Sequence, residues 1–287
     1  MPHLTISKTL AALCFCILLL ACASSMGQSG RQIPKAAPPR GDSPETTDCI
    51  AELMFGTGQN FFHICISSHG NIATIRSPAG YAHIIQGDDD EGYVVCGTGA
   101  DNSYDSGPAE EGWGPSTISQ PGGANTFPLT ITRQTFDAKF ELEQTFDWNP
   151  QEREILITMA LKNISGAQIT DIKLARYFDG NISRIMNSLP HDNTDDIYDR
   201  DADAVWGKDN GAGAGHHMLM LAAQTLGLSH TAAVETIADF TATRATCTPV
   251  PVPVPTAPGD YVGRLTYNVG TLNPGVRRVV KYIYRRQ

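Results

Sequence analysis

Glu152–Asp179 reads EREILITMALKNISGAQITDIKLARYFD. Ile155, Ile157, Met159 and Leu161 take every second position, and so do Ile172, Leu174 and Arg176. A period of two buries one face of an extended strand and leaves the other wet. Asn163, Ser165 and Gly166 supply turn chemistry between the two runs. The stretch therefore predicts two consecutive strands folded back as a hairpin-like unit of a sandwich. Arg176 falls in the apolar phase, and a buried arginine needs a carboxylate partner. It is either half of an ion pair with the adjoining acidic loop or a contact for a ligand.

Similar runs lie on both sides. Cys49–Phe55 starts the folded part, and Phe61–Ser67 and Asn71–Ser77 flank the tight turn Ser68-His69-Gly70-Asn71. Tyr81–Gln86 and Gly92–Cys96 read as a second pair around the acidic tip Asp88–Glu91. Leu129–Gln134 and Ala138–Trp148 alternate, as do Tyr261–Val269 and Val276–Tyr284. His217–Gln224 reads as a buried strand or a short helix, and Thr231–Thr243 has helical spacing. Thr248–Pro258 alternates proline with valine, which blocks ladder hydrogen bonds and favours an edge or an extended segment. Many strands and few helices argue an all-β antiparallel sandwich.

The first 23 residues stand apart. Lys8 precedes the apolar run Leu10–Leu20, which is too short to span a bilayer and reads as a signal peptide. Two processing sites compete. Ala21-Cys22-Ala23 fits cleavage before Ser24, and Leu19-Leu20-Ala21-Cys22 resembles a lipobox that would make Cys22 a lipidated N-terminus. Ala23 is not aspartate, which in a Gram-negative cell implies the outer membrane. Residues 24–47 have a linker composition, and 48–287 are expected to form a single sandwich domain. A membrane would be met only through that lipid anchor. Cys49, Cys65, Cys96 and Cys247 are an even set outside the signal, as for two disulfides in an oxidising compartment. Three connectivities exist, and strand placement favours Cys65 with Cys96 and Cys49 with Cys247. No Cys-x-x-Cys pair points to zinc.

The net charge is −9 and no basic stripe appears, which argues against nucleic acid. Gly97–Gly123 breaks the alternation and reads as a long loop. Trp113 and Tyr104 in it either cover a sheet edge or offer a stacking platform for a flat ligand such as a sugar. Asp199, Asp201 and Asp203 alternate, so an extended backbone would put them on one face, about 7 Å apart. Ca²⁺ is the cation such a set would take, helped by Asp192, Asn193 and Asp195. The other reading is a solvated acidic loop.

Three blocks carry a resemblance. They are Asn163-x-Ser165-Gly166 with Arg176-x-x-Asp179, Cys65-x-x-x-His69-Gly70-Asn71 with Glu91-Gly92-Tyr93-x-x-Cys96, and Gly270-x-Leu272-x-Pro274-Gly275 before an aliphatic strand. The first two resemble uncharacterised exported bacterial β-sandwich proteins, and the third resembles the closing strands of Ig-like and galactose-mutarotase-like sandwiches. The resemblance implies a sandwich that could be a mutarotase-like supersandwich. That fold hosts sugar epimerases, lyase domains and binding modules, so it does not give the activity. A mutarotase-type site would imply a histidine and a glutamate as acid and base, and no motif here places that pair. The expected function is a binding or structural module whose partner is a carbohydrate or another envelope protein. The alternative is a carbohydrate-active enzyme using acids of the Asp192–Asp203 loop.

Overall fold

The computed structural model describes residues 49–85, 91–107, 109–182, 184–185, 196–209 and 217–287. The signal and linker segments, Cys22, the tip Asp88–Asp90, and Asp192, Asn193 and Asp195 lie outside them.

The strands are antiparallel and form three sheets. In chain order they are β1 (Ala51–Phe55), β2 (Phe62–Ile66), β3 (Ile72–Arg76), β4 (Tyr81–Ile85), β5 (Glu91–Thr98), β6 (Ser103–Asp105), β7 (Glu110–Glu111), β8 (Thr117–Ser119), β9 (Leu129–Gln134) and β10 (Phe140–Asn149). Then come β11 (Glu154–Asn163), β12 (Ile169–Phe178), β13 (Arg184–Ile185), β14 (Asp196–Arg200), β15 (Ala204–Asp209), β16 (Met218–Ala223), β17 (His230–Thr236), helix α1 (Ile237–Thr243), β18 (Tyr261–Leu272) and β19 (Arg277–Arg286). A five-stranded sheet runs β1-β2-β3-β4-β13, an eight-stranded sheet β14-β15-β16-β19-β11-β10-β9-β8, and a six-stranded sheet β17-β18-β12-β5-β6-β7. The fold is an all-β antiparallel sandwich, as the alternation predicts.

The deciding stretch forms two strands, but they do not pair with each other. β11 pairs with β10 and β19, while β12 pairs with β5 and β18. The loop between them carries the chain from one sheet to the other. Period two cannot tell a hairpin from such an arch, because both bury alternate residues. Asn163 fixes the crossing: its Nδ2 donates to the carbonyls of Ala167 and Leu272, and its Oδ1 accepts from Ser165 N. The pair around the acidic tip is corrected likewise, since β4 joins β3 and β13 whereas β5 joins β12 and β6.

Ile169 and Ile172 are three apart, yet both reach the core. Register shifts on either side of Ile172 mark a bulge, with Asp171 at φ 51°, and the extra residue restores the phase. From there Leu174 and Phe178 face the eight-stranded sheet, within one apolar cluster that includes Ile157, Met159, Val280, Tyr282 and Tyr284. Ala175 and Tyr177 face the other way, under Phe240 of α1 and Cys247. Thr236 caps α1 by accepting from Asp239 N, so the helical stretch starts later than its spacing predicts and β17 precedes it. In the proline–valine segment Val252 N donates to Val234 O. It thus lies along the outer edge of β17, with prolines that cannot extend a ladder.

The disulfides are Cys49–Cys65 and Cys96–Cys247, which corrects the expected pairing. Strand adjacency decides it. β1 pairs with β2, and Cys49, just before β1, comes within a Cα separation of 5.3 Å of Cys65 on β2. Cys247 instead pins the segment after α1 to β5. Two disulfides place the described domain in an oxidising, extracytoplasmic setting. No helix among the described residues is long and apolar enough to cross a membrane.

Candidate functional site

The turn between β2 and β3 pushes between the two large sheets, and polar chemistry gathers around it. Gly70 stands at φ +86°, and a Cβ there would lie 2.4 Å from Gln144 Nε2, so only glycine fits. The His69 carbonyl accepts from Tyr93 Oη at 2.9 Å and from Gln144 Nε2 at 3.2 Å. The Gly70 carbonyl accepts from Arg176 Nη2 at 3.0 Å.

Two buried ionic groups hold this turn. In the first, Arg133 Nη1 lies 2.5 Å from Asp105 Oδ2 and its Nη2 lies 2.7 Å from Glu110 Oε2. His69 Nδ1 is 3.2 Å from each of those two oxygens, off the hydrogen-bond axis, so the contact is mainly ionic. Asn71 Nδ2 also donates to Asp105. In the second, Arg176 grips Glu91 with two bonds, Nε to Oε1 at 2.6 Å and Nη2 to Oε2 at 2.9 Å. Glu91 further accepts from Ile72 N and Tyr284 Oη. Burial pushes the Glu91 carboxyl up from its usual range, and these donors oppose that. Arg176 thus has the carboxylate partner its phase demanded, supplied by β5.

Burial alone would push the His69 imidazolium down. The facing carboxylates of Asp105 and Glu110 outweigh it and raise the group to about 9. Asp105 is held well below the usual carboxylate range; burial opposes this, but His69, Arg133 and Asn71 prevail. Two carboxylates thus face two cations. His69, Asp105 and Glu110 are the one set of at least three ligand-type side chains that converges within 4.8 Å among the described residues. The set does not fit a metal, because Arg133 and the His69 imidazolium already occupy the same oxygens. This cluster positions a turn. A group raised in the folded state stabilises fully below its unfolded value, near 6.5. That contribution is lost as pH rises through about 9. Melting temperature is therefore expected to fall between pH 7 and 9.5, with a flatter profile in His69→Gln. Identical profiles for the two proteins would count against the charged imidazole.

The residues singled out by sequence are dispersed. Trp113 is fully buried and packs edge-on to Tyr93 at 5.4 Å, with the Arg133 guanidinium 5.7 Å from its ring. It presents no face to a ligand. Tyr104 is buried on the other side of the six-stranded sheet, beneath the Arg244 guanidinium. The segment read as a long loop holds β6, β7 and β8. Among the described residues Asp199, Asp201 and Asp203 do not converge as ligands, because a hairpin turn interrupts the extended run. Asp199 Oδ1 accepts from Arg200 N, Asp201 Oδ1 accepts from the amides of Asp203 and Ala204, and Asp203 pairs with His230. His69, Asp105, Glu110 and Arg133 escaped the sequence reading. The only signal was the turn containing His69, since register brings the partners together.

An open feature lies on the outer face of the eight-stranded sheet. Asp199 sits opposite Trp206, Trp206 opposite Met220, Met220 opposite Arg285, and Arg285 opposite Glu154. This is one straight row across five strands, spaced about 4.8 Å apart. Arg285 is ion-paired to Glu154. The row beside it is Ala204, Ala222, Ile283 and Leu156, apolar throughout and low at its two alanines. Trp206 and Met220 are partly exposed. An indole thus stands beside a shallow apolar floor, with a carboxylate on one side and an Arg–Glu pair on the other.

No family model matches the sequence, and no curated protein is similar to it in sequence. Several solved structures are similar in outline. A bacterial glucoamylase complexed with acarbose aligns at TM-score 0.46 and 9% identity, over 85% of this chain and 34% of that one. This chain therefore spans about a third of that enzyme's length. A galactose mutarotase related enzyme from Lactobacillus acidophilus aligns at TM-score 0.39 and 11% identity, over 82% and 97% of the two chains. A putative aldose 1-epimerase from Escherichia coli K12 aligns at TM-score 0.39 and 8% identity, over 83% and 99%. At these scores no residue role or activity transfers, and the functional reading rests on this chain's own side chains.

Proposed function

We propose that the chain is an exported glycan-binding module whose ligand lies along the Asp199–Trp206–Met220–Arg285 row. The observation that carries this reading is Trp206, a partly exposed indole in line with charged groups on an otherwise regular sheet face. A pyranose has an apolar C–H face and a hydroxyl rim. An indole beside a low floor takes the former, and Asp199 and Arg285 take the latter. The converging carboxylates and histidine of the interior are neutralised by Arg133, so a binding role is the reading favoured over a catalytic one.

Affinity electrophoresis of the full chain through gels cast with soluble glucan, galactan, xylan or polygalacturonate tests this. Retardation is expected in at least one gel. Trp206→Ala should weaken binding by ~30-fold, as for an aromatic anchor worth about 2 kcal/mol. Its melting temperature should change little, since the ring lies outside the main core. Equal retardation of both proteins, or none in any gel, would refute the assignment.

A further inference from the structure

Four arginines are buried among the described residues: Arg133, Arg176, Arg264 and Arg286. Three of them are neutralised. Arg133 meets Asp105 and Glu110, Arg176 meets Glu91, and Arg264 meets Glu235 at 2.7 Å. Arg286 differs. It is 6% exposed, and its side chain makes no hydrogen bond or ion pair among the described residues; its Nε is fully enclosed. Removing a guanidinium from water without a counter-charge is strongly unfavourable, so a fold that keeps one does so when something else supplies the anion.

The neighbours make the position more cationic. Arg286 N donates to the Arg153 carbonyl, which fastens the end of β19 to the turn before β11. The Arg153 side chain also makes no hydrogen bond or ion pair among the described residues, its Nε is buried, and Arg153 stands at φ 54°. Met218 and Gln287 exchange two backbone hydrogen bonds, which brings His217 to the same corner. The His217 ring lies 5.0 Å from Tyr81 and 6.1 Å from His83, both on β4. His83 is anchored by the Ser77 carbonyl at 2.5 Å.

Burial and Arg153 together hold the Arg286 guanidinium down at about 10. Burial and Arg286 push His83 to about 3, although its bond to Ser77 opposes this, so that imidazole is neutral. His217 is lowered by burial, Arg286 and Arg153, with Asp209 acting in the opposite sense. Burial is the largest cause of each shift, and the neighbouring cations add to it.

We propose that Arg286 and Arg153, flanked by His217 and His83, form an oxyanion-binding site for a carboxylate- or sulfate-bearing ligand. Two guanidiniums present forked N–H donors suited to a planar carboxylate or a tetrahedral sulfate. The site is distinct from the Trp206 row. Alternation along β19 puts Arg286 on the core side with Tyr282 and Tyr284, and Arg285 on the outer face.

Isothermal titration calorimetry of the full chain with sodium sulfate, sodium galacturonate and uncharged galactose tests the assignment. Saturable heat is expected with at least one anion and none with galactose. Sulfate alone would identify a sulfo or inorganic ligand, and galacturonate alone a sugar carboxylate. Arg286→Gln and Arg153→Gln should each weaken binding by at least ~10-fold. Without anion, Arg286→Gln should melt at or above the wild-type temperature, because it removes an uncompensated buried charge. The site is overturned by absence of heat with both anions, by unchanged affinity in the variants, or by an anion-free Arg286→Gln that melts well below wild type.

Discussion

Asp105→Ala is expected to destabilise the chain by about 3–5 kcal/mol, the cost of leaving a buried charge without its counter-ion. Asp105 is fully buried and accepts from Arg133 Nη1, Asn71 Nδ2 and Gly107 N while facing His69. Removing it leaves one carboxylate, Glu110, against the Arg133 guanidinium and the His69 imidazolium. The turn at His69 is the piece most exposed to that loss, because it is tied to both large sheets through this cluster and through Gly70. In a domain of this size the melting temperature should fall by roughly 10 °C. Asp105→Asn keeps the shape and removes the charge, so it should cost nearly as much. A thermal melt of the alanine variant within about 2 °C of wild type would show that the cluster is not the fastening described above.

Much of the fold is legible in the chain because alternation survives everywhere the sandwich is regular. The runs at Ile155–Leu161 and Ile172–Arg176 predict strands, buried faces and even the burial of Arg176. Connection is a different matter. Asn163-x-Ser165-Gly166 is turn chemistry in an arch as much as in a hairpin, so the local signal is right and the pairing is not. The same limit hides the ionic cluster. His69 lies in a turn, Asp105 at the end of a short strand, Glu110 in a two-residue strand and Arg133 one residue from the end of β9. Only register unites them. Trp113 looked open because glycines and prolines surround it, whereas those residues shape the short edge strands that enclose it. Asp199–Asp203 looked like one acidic face because alternation was carried through a turn that the backbone makes at Asp201. Trp206 gave no sign at all, since its meaning depends on Asp199, Met220 and Arg285 arriving from neighbouring strands.

Breaking the Arg176–Glu91 pair is the second large effect. Arg176→Met alone should cost about 3–5 kcal/mol by stranding a buried carboxylate, and Glu91→Leu alone a similar amount by stranding the guanidinium. If only charge were at stake, Arg176→Met combined with Glu91→Leu would return most of that stability, as hydrophobic replacements of buried pairs often do. Here each partner also serves neutral groups. Glu91 accepts from Ile72 N and Tyr284 Oη, and Arg176 donates to the Gly70 carbonyl and to Gln144 Oε1. The double variant leaves those groups enclosed, each unmet one costing about 1–3 kcal/mol. The expected result is a coupling of about 1–3 kcal/mol between the two sites together with a double variant still clearly less stable than wild type. Denaturant unfolding of the four proteins measures both quantities. Additive single effects would mean that the two residues act separately. Full recovery in the double variant would mean that the turn backbone and Tyr284 find other partners, and that the pair is an ordinary ion pair rather than the hub on which the β2–β3 turn hangs.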